Sequence, residues 1–184
     1  MKKYFYIFFF FSLNLFSQNY KLITKADKIL SSENPNLKKA EKLLNRAEKS
    51  DYGFCGSAKL SADSKIDFLR AKILFLKNDF KKCLNKLESE DIWMRRYSSD
   101  SLKIECLIKM YGKEKISNLI FFKSSKIIKR ENKYNYKGIC IKLEEINYAF
   151  CFLDQNENIN YNNEVTLLEI LKETNFYNLI KPSN

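Results

Sequence analysis

Two hydrophobic periods divide the chain. From residue 20 to about 122 the apolar positions recur at helical spacing, three or four apart. Leu22, Ala26, Ile29 and Leu30 form one stripe, and Asn34-Pro35-Asn36 ends it because proline cannot donate to a helix and restricts its neighbour. Leu37, Ala40, Leu43, Leu44 and Ala47 form a second, with Lys38, Lys39, Glu41, Lys42, Arg46, Glu48 and Lys49 on the other faces. So short a link makes the two helices antiparallel neighbours. Residues 51–57, with two of the four glycines, read as a loop. A third helix is predicted over 63–77, a turn at Asn78-Asp79, and a fourth helix over 80–89 capped by Asp79. A fifth over 98–111, capped by Ser98 or Ser99, and a sixth over 113–122 after Gly112 complete the helical part.

Beyond about 123 the period shortens to two. Residues 137–144 alternate, and 147–154 answer them. One antiparallel register sets Ile139 against Phe152, Ile141 against Phe150 and Leu143 against Tyr148, so that one face becomes wholly apolar. A slip of one residue would oppose apolar to polar faces. Glu145-Ile146 suits a tight turn poorly, so a wider loop is expected there. Residues 126–130 are expected to add a third strand. A final helix over 163–174, with Val165, Leu168 and Leu171 on one side, is expected to cover the apolar face. The fold class is therefore mostly α: antiparallel helical hairpins at 18–124, then a small α+β lobe at 125–184 with a β-hairpin at 137–154 and a C-terminal helix.

The first residues carry a different signal. Lys2 and Lys3 precede an apolar run from Tyr4 to Phe16, interrupted only by Ser12 and Asn14, and Ser17 is small enough for a signal peptidase. This is the layout of a secretory signal peptide over 1–17, with Gln18 as the new N-terminus. An uncleaved anchor is the alternative, but a spanning helix needs about 20 apolar residues and this run is shorter. The expected address is periplasmic or extracellular, with no stable membrane span after cleavage.

Leu37, Ala40, Leu44 and Ala47 follow a bulky-small-bulky-small order that resembles the second helix of a tetratricopeptide repeat. Ala71, Leu74, Asn78, Asp79, Phe80, Cys83 and Leu87 are similar to the middle of another repeat. Leu37 to Phe80 and Ala40 to Cys83 are both 43 apart, against a family period of about 34, and the loop near 53–61 takes up the excess. The resemblance covers about residues 20–90. It implies stacked hairpins whose concave surface binds a peptide or another subunit, with Lys65, Phe68, Lys72 and Phe75 facing the groove. The alternative is that both phenylalanines belong to the core and both lysines are merely solvated.

Composition narrows the chemistry. The chain has no histidine, which removes the commonest general base and metal ligand and every histidine-dependent triad. Four glycines build no phosphate loop, and no cofactor is implied. Residues 154–160 carry alternate oxygen side chains, but Ile159 and Val165 stand where a calcium loop of the EF-hand kind needs Gly and Glu. Net charge is +11, Lys2 and Lys3 included, and residues 113–137 hold eight basic and two acidic residues. Only five of the 33 basic residues are arginine, the side chain suited to bidentate phosphate recognition, so nucleic acid is not the expected partner. The expected function is an exported, non-catalytic interaction scaffold. The alternatives are a small exported hydrolase using carboxylates, or a Lys-rich binder of envelope polyanions.

Five cysteines, none in a Cys-x-x-Cys, leave pairing to geometry. Cys83 and Cys106 sit on apolar stripes. Cys140 and Cys151 fall opposite one another in the register above, which brings them within reach of a disulfide. A bridge and two packed thiols both fit.

Overall fold

The protein is described from a computed structural model that covers residues 20–52, 56–88, 97–121, 127–131, 137–153 and 167–182. The segment 1–17 expected to be a signal peptide, Cys55 and the Asn-rich segment 154–160 lie outside the described residues. The molecule is mostly helical, and the chain divides between Glu90 and Asp91 into two compact units.

The first unit holds four helices: α1 (20–30), α2 (Leu37–Glu48), α3 (Gly56–Leu76) and α4 (Phe80–Glu88). Ile23, Ala26 and Leu30 from α1, Ala40, Leu44 and Ala47 from α2, and Ala62, Ile66, Leu69 and Ile73 from α3 are all buried in one core. Each set repeats at three or four residues, which is why these segments are helical: only that period puts every member on one face. Four of the ten are alanines with no exposed surface, and small side chains at these points let the helix axes approach closely. The Asn36 side chain accepts the Lys39 N–H at 3.0 Å and so starts α2.

Side-chain partners give the helix directions. Tyr20 donates its hydroxyl to the Ala58 carbonyl at 2.8 Å, Asp27 lies 3.5 Å from Lys65, and Ser31 is 3.0 Å from Lys72. Numbers rise together, so α1 and α3 run parallel. Glu48 meets Arg70 and Glu41 meets Lys77, so α2 is antiparallel to α3. Phe75 meets Phe80 and Asp67 meets Lys86, which makes α3 and α4 an antiparallel hairpin. Between them Asn78 adopts φ 61°, and Asn78 and Asp79 donate to the Phe75 and Leu74 carbonyls at 2.9 Å. This is a Schellman close, with asparagine in the left-handed position that glycine usually takes. Asp79 then accepts the Lys82 N–H at 3.4 Å, in the cap position expected of it.

One boundary differs from expectation. Helix α3 begins at Gly56, not 63, because Gly56 occupies the first helical position, where glycine's backbone freedom costs little. The added turns are held by Tyr20 at Ala58, by Lys59 donating to the Glu48 carbonyl at 3.0 Å, and by the burial of Ala62.

The second unit holds α5 (Tyr97–Tyr111), α6 (Lys113–Phe121), β1 (Ile127–Glu131), β2 (Lys137–Leu143), β3 (Tyr148–Leu153), α7 (Leu167–Lys172) and α8 (Tyr177–Ile180). The sheet is antiparallel in the order β1-β2-β3. Its β2–β3 register is the expected one, pairing Ile139 with Phe152, Cys140 with Cys151, Ile141 with Phe150 and Leu143 with Tyr148. The link is indeed wide: a 3-10 turn at Glu144–Ile146 and Asn147 in the left-handed conformation at φ 47°. Ile141, Leu143, Phe150 and Phe152 are buried with Ile104, Leu107, Ile116 and Ile120 of the two long helices.

Three expectations are corrected here. The division at Glu90 groups α5 and α6 with the sheet, not with α1–α4 as a boundary near 124 would have it. Helix α5 spans Tyr97–Tyr111, so Ser98 and Ser99 lie within it and not ahead of it. In α7 the buried pair is Ile170 and Leu171, while Leu168 is exposed and Val165 lies outside the described residues. Beyond that helix, Phe176 adds to the cover that α5 and α6 give the apolar sheet face, its ring edge-on to Phe150 and Phe152 with centroids 5.2 and 5.3 Å away. Phe176 precedes the unforeseen short helix α8, which is pinned where Ser117 of α6 donates its hydroxyl to the Ile180 carbonyl at 2.6 Å.

Candidate interaction face on helix α3

Lys65, Phe68, Lys72 and Phe75 occupy one side of α3, the lysines seven residues apart and each phenylalanine three further on. All four are half-buried. The lysines lean toward α1, where Lys65 Nζ is 3.5 Å and Lys72 Nζ 3.9 Å from the Asp27 carboxylate. Two cations thus share one carboxylate, and Lys72 also donates to the Ser31 hydroxyl at 3.0 Å. With 30% and 28% of their side chains exposed, both ammonium groups are partly desolvated yet reachable. Phe68 packs against the core and Phe75 stands edge-on to Phe80 at 5.5 Å, so each ring is anchored on one side.

The opposite side of α3 is charge-saturated. Arg70 holds Glu48 in a two-pronged pair at 2.7 and 2.8 Å and adds the Asn45 side-chain oxygen at 2.8 Å. The hydrogen bond from Arg70 holds the Glu48 carboxyl below its ordinary value and raises the guanidinium further. Asp67 is met by Lys86 at 2.6 Å. Tyr52 is pushed up chiefly by burial, and its hydroxyl donates to the Ala47 carbonyl at 2.9 Å. These groups clamp α2, α3 and α4 together.

Asp27 and Ser31 were not singled out from the sequence. Their only signal is the four-residue spacing that places them on one edge of α1, and nothing local says which helix that edge meets.

The second unit offers four other features. Asp100 and Lys103, one turn apart on α5, form an ion pair at 3.6 Å with side chains 4% and 2% exposed, beside the buried Ser99. A depression of about 440 Å³ on α6 is lined by Lys113, Glu114, Ser117, Asn118, Lys181 and Pro182. Of the basic stretch 113–137, Lys113 and Lys115 are exposed on α6, with Lys115 3.8 Å from Glu145. Cys140 and Cys151 stand opposite with Cα atoms 4.0 Å apart, and their sulfurs are bonded. Among the described residues no group of three carboxylate or thiol side chains is placed to hold a metal ion, and no helix is long and apolar enough to cross a membrane. No protein-family model, curated protein or solved structure matches the chain.

Proposed function

We propose that the protein is exported by cleavage after Ser17 and acts as a non-catalytic interaction scaffold, with the α1–α3 side of its first unit as the binding face. The observation that carries this reading is the charge imbalance there: Lys65 and Lys72 share the single carboxylate of Asp27 beside two half-buried rings. A partly desolvated cation pair with an aromatic neighbour suits a polypeptide segment bearing a carboxylate and an apolar side chain. Parallel packing of α1 on α3, with antiparallel partners on either side, supports the tetratricopeptide-like reading of the two hairpins. The carboxylates of Glu48 and Asp79 are held down by Arg70 and Lys82. That is the wrong direction for a general acid, so neither favours a hydrolase.

The experiment is affinity capture by the mature chain from the exported fraction of its own host, in parallel with a Lys65→Glu/Lys72→Glu double variant. A partner retained by the native chain and lost by the folded variant supports the face. Equal retention by both removes it. Intact-mass measurement of the exported protein tests cleavage, with Gln18 or Asn19 as the expected first residue.

A further inference from the structure

We infer that Cys140–Cys151 is a site of directional thiol–disulfide exchange, in which an external thiolate attacks the sulfur of Cys151 and Cys140 is the leaving group. Three observations carry it. Cys151 lies on β3, the last strand of the sheet among the described residues, and is half-buried, whereas Cys140 lies on the middle strand and is only 3% exposed. The bond spans two directly opposed residues, so it lies across the strands. Exchange requires approach in line with the bond being broken. For Cys151 that line comes in from beyond β3. For Cys140 it comes in from the side of β1, the strand that pairs with β2 there with Ile128 in register opposite Cys140.

The third observation is that the register does not depend on the bond. Ile141, Leu143, Phe150 and Phe152 lie on the other face, each no more than 2% exposed, and Phe176 closes over them. Sliding the strands by one residue would expel this whole set from the core. The hairpin therefore stays in place when the bond opens, and the two sulfurs remain opposite one another for reclosure.

The chemistry balances with a dithiol as co-reactant. One of its thiolates bonds to Cys151 Sγ, and the S–S electron pair departs with Cys140 Sγ, which takes up a proton. The second thiol of the reagent then attacks the mixed disulfide and releases Cys151. The protein gains two electrons and two protons, and the dithiol leaves as its own disulfide.

The test uses the full mature chain. In native buffer, dithiothreitol followed by rapid alkylation and peptide mapping is expected to open this bond while amide protection of β2 and β3 persists. With glutathione disulfide, a Cys140→Ser variant is expected to collect the mixed disulfide on Cys151 at least about ten-fold faster than a Cys151→Ser variant collects it on Cys140, and denaturant should erase the difference. Equal or reversed rates in the folded variants would overturn the directionality. Should a variant fail to fold, the native chain still decides the matter: opening that occurs only in denaturant, or loss of strand protection on opening, overturns the proposal.

Discussion

Replacing Phe176 with alanine should selectively loosen the second unit. The side chain is 1% exposed and stands edge-on to both Phe150 and Phe152. It is also the residue that brings the C-terminal segment over the sheet, so its neighbours are rings on a rigid hairpin that cannot collapse into the space left behind. Truncating a buried phenylalanine costs about 3–5 kcal/mol in transfer and cavity terms together. The lost edge-to-face contacts are part of that sum, at about 0.5–1.5 kcal/mol for each pair. Read as amide exchange of strand peptides in the folded protein, this raises the opening constant by roughly a hundred-fold to several thousand-fold. Peptides of α1–α4 should be unmoved, since they belong to the other unit. A change in β2 and β3 exchange below about five-fold, or an equal change in α2 and α3, would show that Phe176 does not close this core.

Other expectations follow from the charged groups and the helix contacts. Because Glu48 is held below its ordinary value of 4.5 by Arg70, it contributes stability above that pH and loses it as pH falls through the lower folded value. The Glu48 side chain is 46% exposed and solvent screens the pair, so Glu48→Gln should remove no more than about 1 kcal/mol at neutral pH and flatten the acid limb of a urea-stability profile between about pH 5 and 3. An unchanged profile would count against the pair. Asp100→Asn or Lys103→Met alone should each destabilise the second unit by about 3–5 kcal/mol, and the double change by clearly less than their sum in thermal unfolding. Additive losses would deny the coupling. Ala40→Leu, at a point with no exposed surface between helices, should cost about 1–3 kcal/mol by overpacking, read by the same exchange measurement on α2 and α3.

Where the sequence was legible, local and distant constraints agreed. The β2–β3 register could be read because two alternating stretches offered only one alignment with a uniform apolar face, and that alignment is the observed one. Helices α2 and α4 were equally plain, each a clean apolar stripe, with Asp79 legible as the cap of α4. Errors arose where a local sign pointed one way and packing another. Gly56 reads as a loop residue, yet it stands at the first position of a helix that Ala62 and its partners extend. The shift from helical to alternating period marks where strands begin, not where the packing divides, and so α5 and α6 were placed with the wrong neighbours. Asp100 and Lys103 look like an ordinary solvated helix pair, and their burial depends on what folds over them. The candidate face was half legible: spacing along α3 aligned Lys65 and Lys72, but Asp27, which makes their charge unequal, lies 38 residues before Lys65.

The proposed interaction face can be tested at one residue. A photoreactive amino acid in place of Lys72, in protein exported by its native host, should form an adduct with a second polypeptide on illumination, mapped to a carboxylate-rich segment. The same group in place of the exposed Leu168, in the second unit, should form none. Adducts from position 168 and none from position 72, with both proteins folded and exported, would place recognition elsewhere and remove α3 from it.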